Sequence, residues 1–192
     1  MSKPLIIIGS GGHASVLVDA IFLLKRKIIG ATTINDAKKK FPVEIIGNDD
    51  VLEKYFPAEI ELVNGLGQLP NSNLREKIFR TYKSMNYNFM TLIHPGAIIA
   101  TNVKLSEGVQ IMAGAVIQSG VIIGSNSIIN TKVSIDHDST IGKNCHIAPG
   151  VTICGNVNIE DNSFIGAGST IIQNLHIPES SIIPAGTVLI KT

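Results

Sequence analysis

From Ile93 to Leu189 the chain carries an apolar residue at every sixth position. The column is isoleucine throughout, except for Leu105 and Leu189. A second column of smaller side chains lies two residues earlier and runs from Val103 through Ala115, Val121, Ser127, Val133, Ser139 and Cys145 to Thr187. Side chains two apart share one face of a strand, so large and small groups alternate along a single inward face. Three residues after the isoleucines stand turn formers, among them Gly108, Gly114, Gly120, Asn126, Asn144, Gly150, Asn156, Gly168, Asn174 and Gly186. Gly and Asn accept the positive φ that a sharp corner needs. Each hexad then reads as one short strand plus one corner, and three hexads as one triangular coil. Coils stack at about 4.8 Å, the inter-strand spacing. A period of six fits no α-helical repeat. Uninterrupted spacing marks a solenoid, here a parallel β-helix, over a sandwich of short strands.

The first half follows another rhythm. Leu5-Ile6-Ile7-Ile8 reads as a buried parallel strand, ending in Gly9-Ser10-Gly11-Gly12-His13-Ala14. A helix is predicted next, with Val16, Leu17, Ala20, Ile21 and Leu24 inward and Lys25-Arg26-Lys27 at its C-terminal end, where cations suit the dipole. Residues 28–34 form a second strand ending at Asn35-Asp36, residues 51–55 a short helix, and residues 60–64 a third strand ending at Gly65-Leu66-Gly67. Residues 71–85 read as a helix with Leu74, Ile78 and Tyr82 in the core. The pattern is a small α/β, Rossmann-like unit over 1–88, followed by the β-helix over 89–192. Gly9-x-Gly11-x-x-Ala14 fits the glycine pattern that lets a phosphate approach a helix N-terminus. By itself the motif is equally a tight strand-to-helix turn.

Composition narrows the function classes. Apolar residues make up 44% of the 192 residues, charged residues 16%, and the net charge is +1. No basic field draws nucleic acid or an anionic membrane. No apolar run is long enough to span a bilayer, and the apolar run at the N-terminus is too short for a signal peptide. The two cysteines, Cys145 and Cys154, form no disulfide framework, which suits a reducing, cytoplasmic setting. Tryptophan is absent and aromatics are 5%, so stacked aliphatics must fill the interior.

Among five histidines, Asp136-His137-Asp138 stands out. A carboxylate on one ring nitrogen raises the basicity of the other, which makes His137 a candidate general base. It follows Ile135 at a strand end and is expected to point outward. His146 lies nine residues on, beside Ile147, on the outward side of the next strand, and both histidines could flank one groove. The plain alternative for each is a solvated surface histidine. His94 and His176 read as structural and surface residues. Cys145 takes the small inward position as core filler.

These segments resemble the hexapeptide-repeat sugar O- and N-acetyltransferases of the sialic acid and bacillosamine (NeuD-like) type. The resemblance rests on Ile7-Ile8-Gly9-Ser10-Gly11-Gly12-His13, Val63-Asn64-Gly65-Leu66-Gly67, Leu74-Arg75-Glu76-Lys77-Ile78-Phe79, Leu92-Ile93-His94-Pro95, Asn130-Thr131 through Ser134-Ile135-Asp136-His137-Asp138, and His146-Ile147-Ala148-Pro149-Gly150. It implies a left-handed β-helix, a homotrimer, and acetyl transfer from acetyl-CoA to a bacterial surface-glycan sugar, with no metal. Carried over, His137 is the base, and Asp138 and Asn130 orient or polarise it. His146 lies near the thioester carbonyl, the Gly155 N–H supports the oxyanion, and Ala167 lines the pantetheine groove. Ser10, Gly11, Gly12 and His13, with Asn35 and Asp36, would bind the nucleotide or sugar of the acceptor.

Three rivals compete. A metal-dependent hydratase of the carbonic-anhydrase kind needs three converging histidines, and here only His137 and His146 are candidates. A non-catalytic trimeric scaffold has no use for Asp136-His137-Asp138. A nucleotidyltransferase needs a longer first half. Acceptor identity, O- versus N-transfer and acyl length stay open.

Overall fold

The computed structural model describes residues 2–34 and 41–191. The chain divides into two compact units, Met1–Met90 and Thr91–Thr192.

The first unit is built on a four-stranded parallel sheet of order β3-β2-β1-β4, with β1 Leu5–Ile8, β2 Ile28–Thr32, β3 Ile45–Gly47 and β4 Glu61–Asn64. Every side chain of β1 is buried, as expected of a central parallel strand covered on both faces. Ile6 and Ile8 pack with Leu52, Leu62, Tyr82, Tyr87 and Phe89 on one face. Helix α1, Gly12–Leu23, buries Ala14, Leu17, Val18, Ala20 and Ile21. Val16, expected inward, is 48% exposed, because the buried stripe takes in Ala14 and Val18 instead. The cations Lys25 to Lys27 lie past the helix end; the Arg26 guanidinium instead pairs with Glu61 at 2.7 Å. The edge strand β3 was not foreseen. A 3-10 helix, Asp49–Lys54, follows it.

Helix α2, Leu74–Ser84, departs from its expected register. Leu74, predicted as core, is 44% exposed, while its neighbour Arg75 is fully buried. Periodicity of apolar residues cannot reveal a buried guanidinium, which is placed by hydrogen bonds and not by transfer from water.

In the second unit each residue of the isoleucine column is the second residue of a two-residue strand, and three parallel sheets result. The first face stacks Leu92–Ile93, Gln110–Ile111, Ile128–Ile129, His146–Ile147, Phe164–Ile165 and Ile182–Ile183. The second stacks Ile98–Ile99, Val116–Ile117, Ser134–Ile135, Thr152–Ile153, Thr170–Ile171 and Val188–Leu189. The third stacks Lys104–Leu105, Ile122–Ile123, Thr140–Ile141, Asn158–Ile159 and His176–Ile177. The inward isoleucines from Ile111 to Ile177 are at most 1% exposed. Each contributes roughly 1.5–3 kcal/mol by burial before conformational entropy opposes it.

The small column also carries hydroxyls inside this apolar stack. Ser127 accepts the Cys145 N–H at 2.9 Å and donates to the Gly142 carbonyl at 2.8 Å. Ser139 accepts the Val157 N–H at 3.1 Å and donates to the Cys154 carbonyl at 3.0 Å. Each serine thus pairs two backbone groups of the next coil that would otherwise be buried without partners.

Candidate functional site

His137 stands at the corner between the second and third faces, after Ser134–Ile135 and before Thr140–Ile141. Its backbone N–H donates to Asp136 Oδ1 at 2.8 Å, and its Nδ1 lies 2.9 Å from Asp138 Oδ2. A carboxylate accepts only, so the ring proton sits on Nδ1 and Nε2 keeps its lone pair. The Asp138 hydrogen bond, and next the Asp136 charge, raise the His137 pKa above the usual 6.5.

Asp138 occupies the corner position of its hexad with φ +59°. Gly or Asn fills most such corners, and Asp tolerates the left-handed region nearly as well as Asn because its short side chain bonds locally. Two glycines one coil away make room for the pair. A Cβ at Gly120, eighteen residues before Asp138, would collide with its carboxylate. A Cβ at Gly155, eighteen residues after His137, would stand 2.7 Å from Nε2. Neither Gly120 nor this role for Gly155 was read from the sequence, yet the eighteen-residue stacking period would have found both.

Asn130 and His146 form a second pair, on the first face and the corner that follows it. Asn130 Oδ1 accepts the Thr131 N–H at 2.8 Å, which orients the amide so that Nδ2 donates to His146 Nε2 at 3.1 Å. The His146 ring meets Phe164 edge-on at 5.0 Å. Ala167 is exposed at the same edge two coils on, where the corners of successive coils are Gly150, Gly168 and Gly186, with open space beyond each. Within one chain, then, His137, Asp138 and Gly155 meet at one corner, and Asn130 and His146 meet at another. Cys145 is 1% exposed, and burial pushes its thiol up to about 12, which suits a packing role. Among the described residues no three His, Cys, Asp or Glu side chains gather as metal ligands.

A third constellation lies in the first unit. The carboxyl ends of β1, β2 and β4 open on a cavity of about 1000 Å³ lined by Ser10, Gly11, Gly12 and His13, and by Gly65 to Gly67. Gly11 and Gly12 have ordinary backbone angles, and a Cβ at either would meet nothing within 4 Å. Neither internal packing nor a turn requires these glycines. The N-cap of α1 is Gly11, which has no side chain to cap the first turn, the end of a helix that favours an anion. Asn35 and Asp36 lie outside the described residues. Asp49 and Lys77, which the sequence reading did not single out, also line the cavity, as does Tyr82, read there only as core. Thr32 links Asp49 to the glycine loop, its Oγ1 donating to Asp49 Oδ1 and accepting the Gly9 N–H at 3.3 Å. Burial, then the nearby Asp49 charge, pushes the Tyr82 hydroxyl up to about 12, so it stays protonated and able to donate.

Residues 4–82 match the PglD N-terminal domain. Residues 102–173 match, in three overlapping stretches, the bacterial transferase hexapeptide of six repeats, and residues 156–191 match the hexapeptide repeat of succinyl-transferase. No curated protein sequence matches significantly. Among solved structures, PerB from Caulobacter crescentus, in complex with CoA and GDP-perosamine, is 29% identical with a TM-score of 0.89; the match covers 98% of this chain and 89% of that one. The acetyltransferase domain of PglB from Neisseria gonorrhoeae, in complex with acetyl coenzyme A, is 25% identical with a TM-score of 0.91, covering 99% and 92%. WeeI from Acinetobacter baumannii, 15% identical with a TM-score of 0.72 over 96% and 95%, shares the fold. With a PglD-type α/β domain followed by a left-handed parallel β-helix of hexapeptide repeats, the chain belongs to the NeuD-like sugar acetyltransferases.

Proposed function

We propose that the chain transfers an acetyl group from acetyl-CoA to the amine of a nucleotide-linked sugar, with His137 as general base. The observation that carries the reading is the His137–Asp138 pair at 2.9 Å, with Nε2 turned to the space left by Gly155. Nε2 takes the proton from the acceptor amine as its nitrogen attacks the thioester carbonyl carbon. The carbonyl oxygen gains charge as the tetrahedral centre forms, and the Gly155 N–H is the donor assigned to it. The C–S bond then breaks, and the thiolate recovers a proton to leave as free thiol. Among the described residues no serine or cysteine side chain is hydrogen-bonded to His137, so a single direct transfer accounts for the chemistry.

The first unit holds the acceptor. Its phosphates rest on the amides behind Gly11 and Gly12, and Ser10 and His13 flank them. PerB, similar over nearly the whole chain, is in complex with GDP-perosamine, a nucleotide-linked amino sugar, which supports an amine acceptor here. The PglB domain, in complex with acetyl coenzyme A, supports the donor. Because His137 and the Asn130–His146 pair lie at different corners, the reading needs a neighbouring copy of the chain, which the homotrimer implied by the resemblance would bring. A neighbouring copy then supplies Asn130, His146 and Ala167 to the donor side of each site, opposite His137 and Asp138. Such a reaction belongs in the cytoplasm, where acetyl-CoA is made, and its product suits a bacterial surface glycan such as lipopolysaccharide O-antigen.

The test is a panel of UDP-, GDP-, CMP- and dTDP-linked amino sugars, each beside its hydroxyl counterpart, incubated with acetyl-CoA and read as thiol release. We expect turnover with one amino sugar. His137→Ala should lower that turnover at least a hundredfold, the order a general base supplies. Near-normal turnover in His137→Ala would sink the assignment of the base, and transfer confined to a hydroxyl counterpart would overturn the amine.

A further inference from the structure

Arg75 is the largest fully buried side chain among the described residues, and none of the chemistry above uses it. It sits one residue inside α2, where its neighbour Leu74 is at the cavity wall, but Arg75 itself does not line the cavity. Its Nη1 donates to two main-chain carbonyls of the loop after β4, Asn64 at 3.0 Å and Leu66 at 2.6 Å. The loop grips back. Asn64 Nδ2 donates to the Arg75 carbonyl at 3.0 Å, and Asn64 Oδ1 accepts the Leu66 N–H at 3.3 Å.

Between the clamped carbonyls lies Gly65, packed so tightly that a Cβ would come within 2.7 Å of the Ile8 carbonyl and 2.9 Å of Ala14. Its N–H donates to that same Ile8 carbonyl at 2.9 Å. Gly67 in turn packs toward His13. The loop that Arg75 holds is therefore the surface on which the loop from Gly9 to His13 rests. We infer that Arg75 is a positioning residue for the acceptor: it fixes Asn64 to Leu66 and, through Gly65, sets the glycine loop at the mouth of the cavity. Burial lowers its pKa to about 9, a penalty that a methionine of similar length would avoid, so shape alone does not explain a guanidinium here.

The inference rests on the acceptor reading for its functional half, and two measurements separate them. Amide hydrogen exchange on the free protein reports the loop without any ligand. In Arg75→Met the amides of Gly65 and Leu66 should exchange at least tenfold faster, while the β-helix amides keep their protection. Unchanged exchange at those two amides overturns the inference. Steady-state kinetics with the acceptor found in the panel should give an acceptor KM raised at least tenfold, with the acetyl-CoA KM unchanged. Arg75→Lys, which restores a cation and its donors, should recover part of that loss. A uniform fall in kcat with neither KM altered, or a methionine variant as good as the lysine one, would also overturn it. If the wild-type chain binds none of UDP, GDP, CMP or dTDP by calorimetry, the acceptor reading fails, and the exchange result still decides the role of Arg75 in the loop.

Discussion

At position 138 a fold requirement and a chemical one meet. The corner needs a residue that accepts φ +59°, and His137 needs a carboxylate beside Nδ1. Asparagine would satisfy the first and only aspartate satisfies both. This separation makes a pH test possible. The base works in its neutral form, and its pKa is raised chiefly by the Asp138 hydrogen bond, so activity should fall as pH drops through that raised value. Asp138→Asn keeps the corner but removes the charge, and His137 then loses its main source of elevation. The acidic limb of the kcat/KM profile should move to lower pH, with a lower plateau, and an unmoved limb would refute the coupling. The stability sign is opposite to that of activity. A raised folded pKa contributes stability below the usual 6.5, and that contribution disappears as pH rises through the folded value. Asp136-His137-Asp138 was legible as chemistry from residue types alone. The glycines that make room for it went unread, because their partners lie one eighteen-residue coil away and residue type alone does not single them out.

Among the elements, the isoleucine column was the most legible feature, since burial repeats with the same period as the backbone. The small column was legible as small, but not as hydrogen-bonded. Ser127 is fully buried and serves two backbone groups of the next coil. Alanine fits the space, as Ala115 shows in the same column, yet Ser127→Ala leaves the Cys145 N–H and the Gly142 carbonyl without that partner. We expect a loss of about 1–3 kcal/mol in unfolding free energy, read by denaturant or thermal melts. A loss inside the ~0.5 kcal/mol range of neutral surface changes would show that the coil satisfies both groups another way. In the α/β unit legibility was poorer. Helix α2 has a clear apolar stripe, but its inward face is set partly by Arg75, and hydrogen bonds leave no periodic trace in a sequence.

At the scale of the whole molecule, the separation of His137 from Asn130 and His146 is the consequential fact. The sequence allows both histidines to flank one groove from successive strands, but within a chain Thr140–Ile141 intervenes and they stand at different corners of the coil. If neighbouring copies complete the site, inactive variants should complement. His137→Ala chains mixed with His146→Ala chains, dissociated and reassembled, should contain some sites with both histidines intact and recover roughly a quarter of wild-type turnover, an order-of-magnitude expectation for random mixing of oligomers. Recovery no greater than the sum of the separate variants would place both histidines in one subunit's site, or remove His146 from the chemistry.

By itself the sequence determined the β-helix, its inward and outward faces, and the residue that acts as base in the reading above. All three follow from local period and residue type, which a one-dimensional pattern records directly. Tertiary structure decided which residues share a corner: Gly155 under His137, Gly120 beside Asp138, Arg75 beneath the acceptor loop, and His137 apart from His146. Gly155 and Gly120 lie one eighteen-residue coil from the residues they serve, a relation that matters only once coils are stacked, and the hydrogen bonds that close around Arg75 leave no period in the chain.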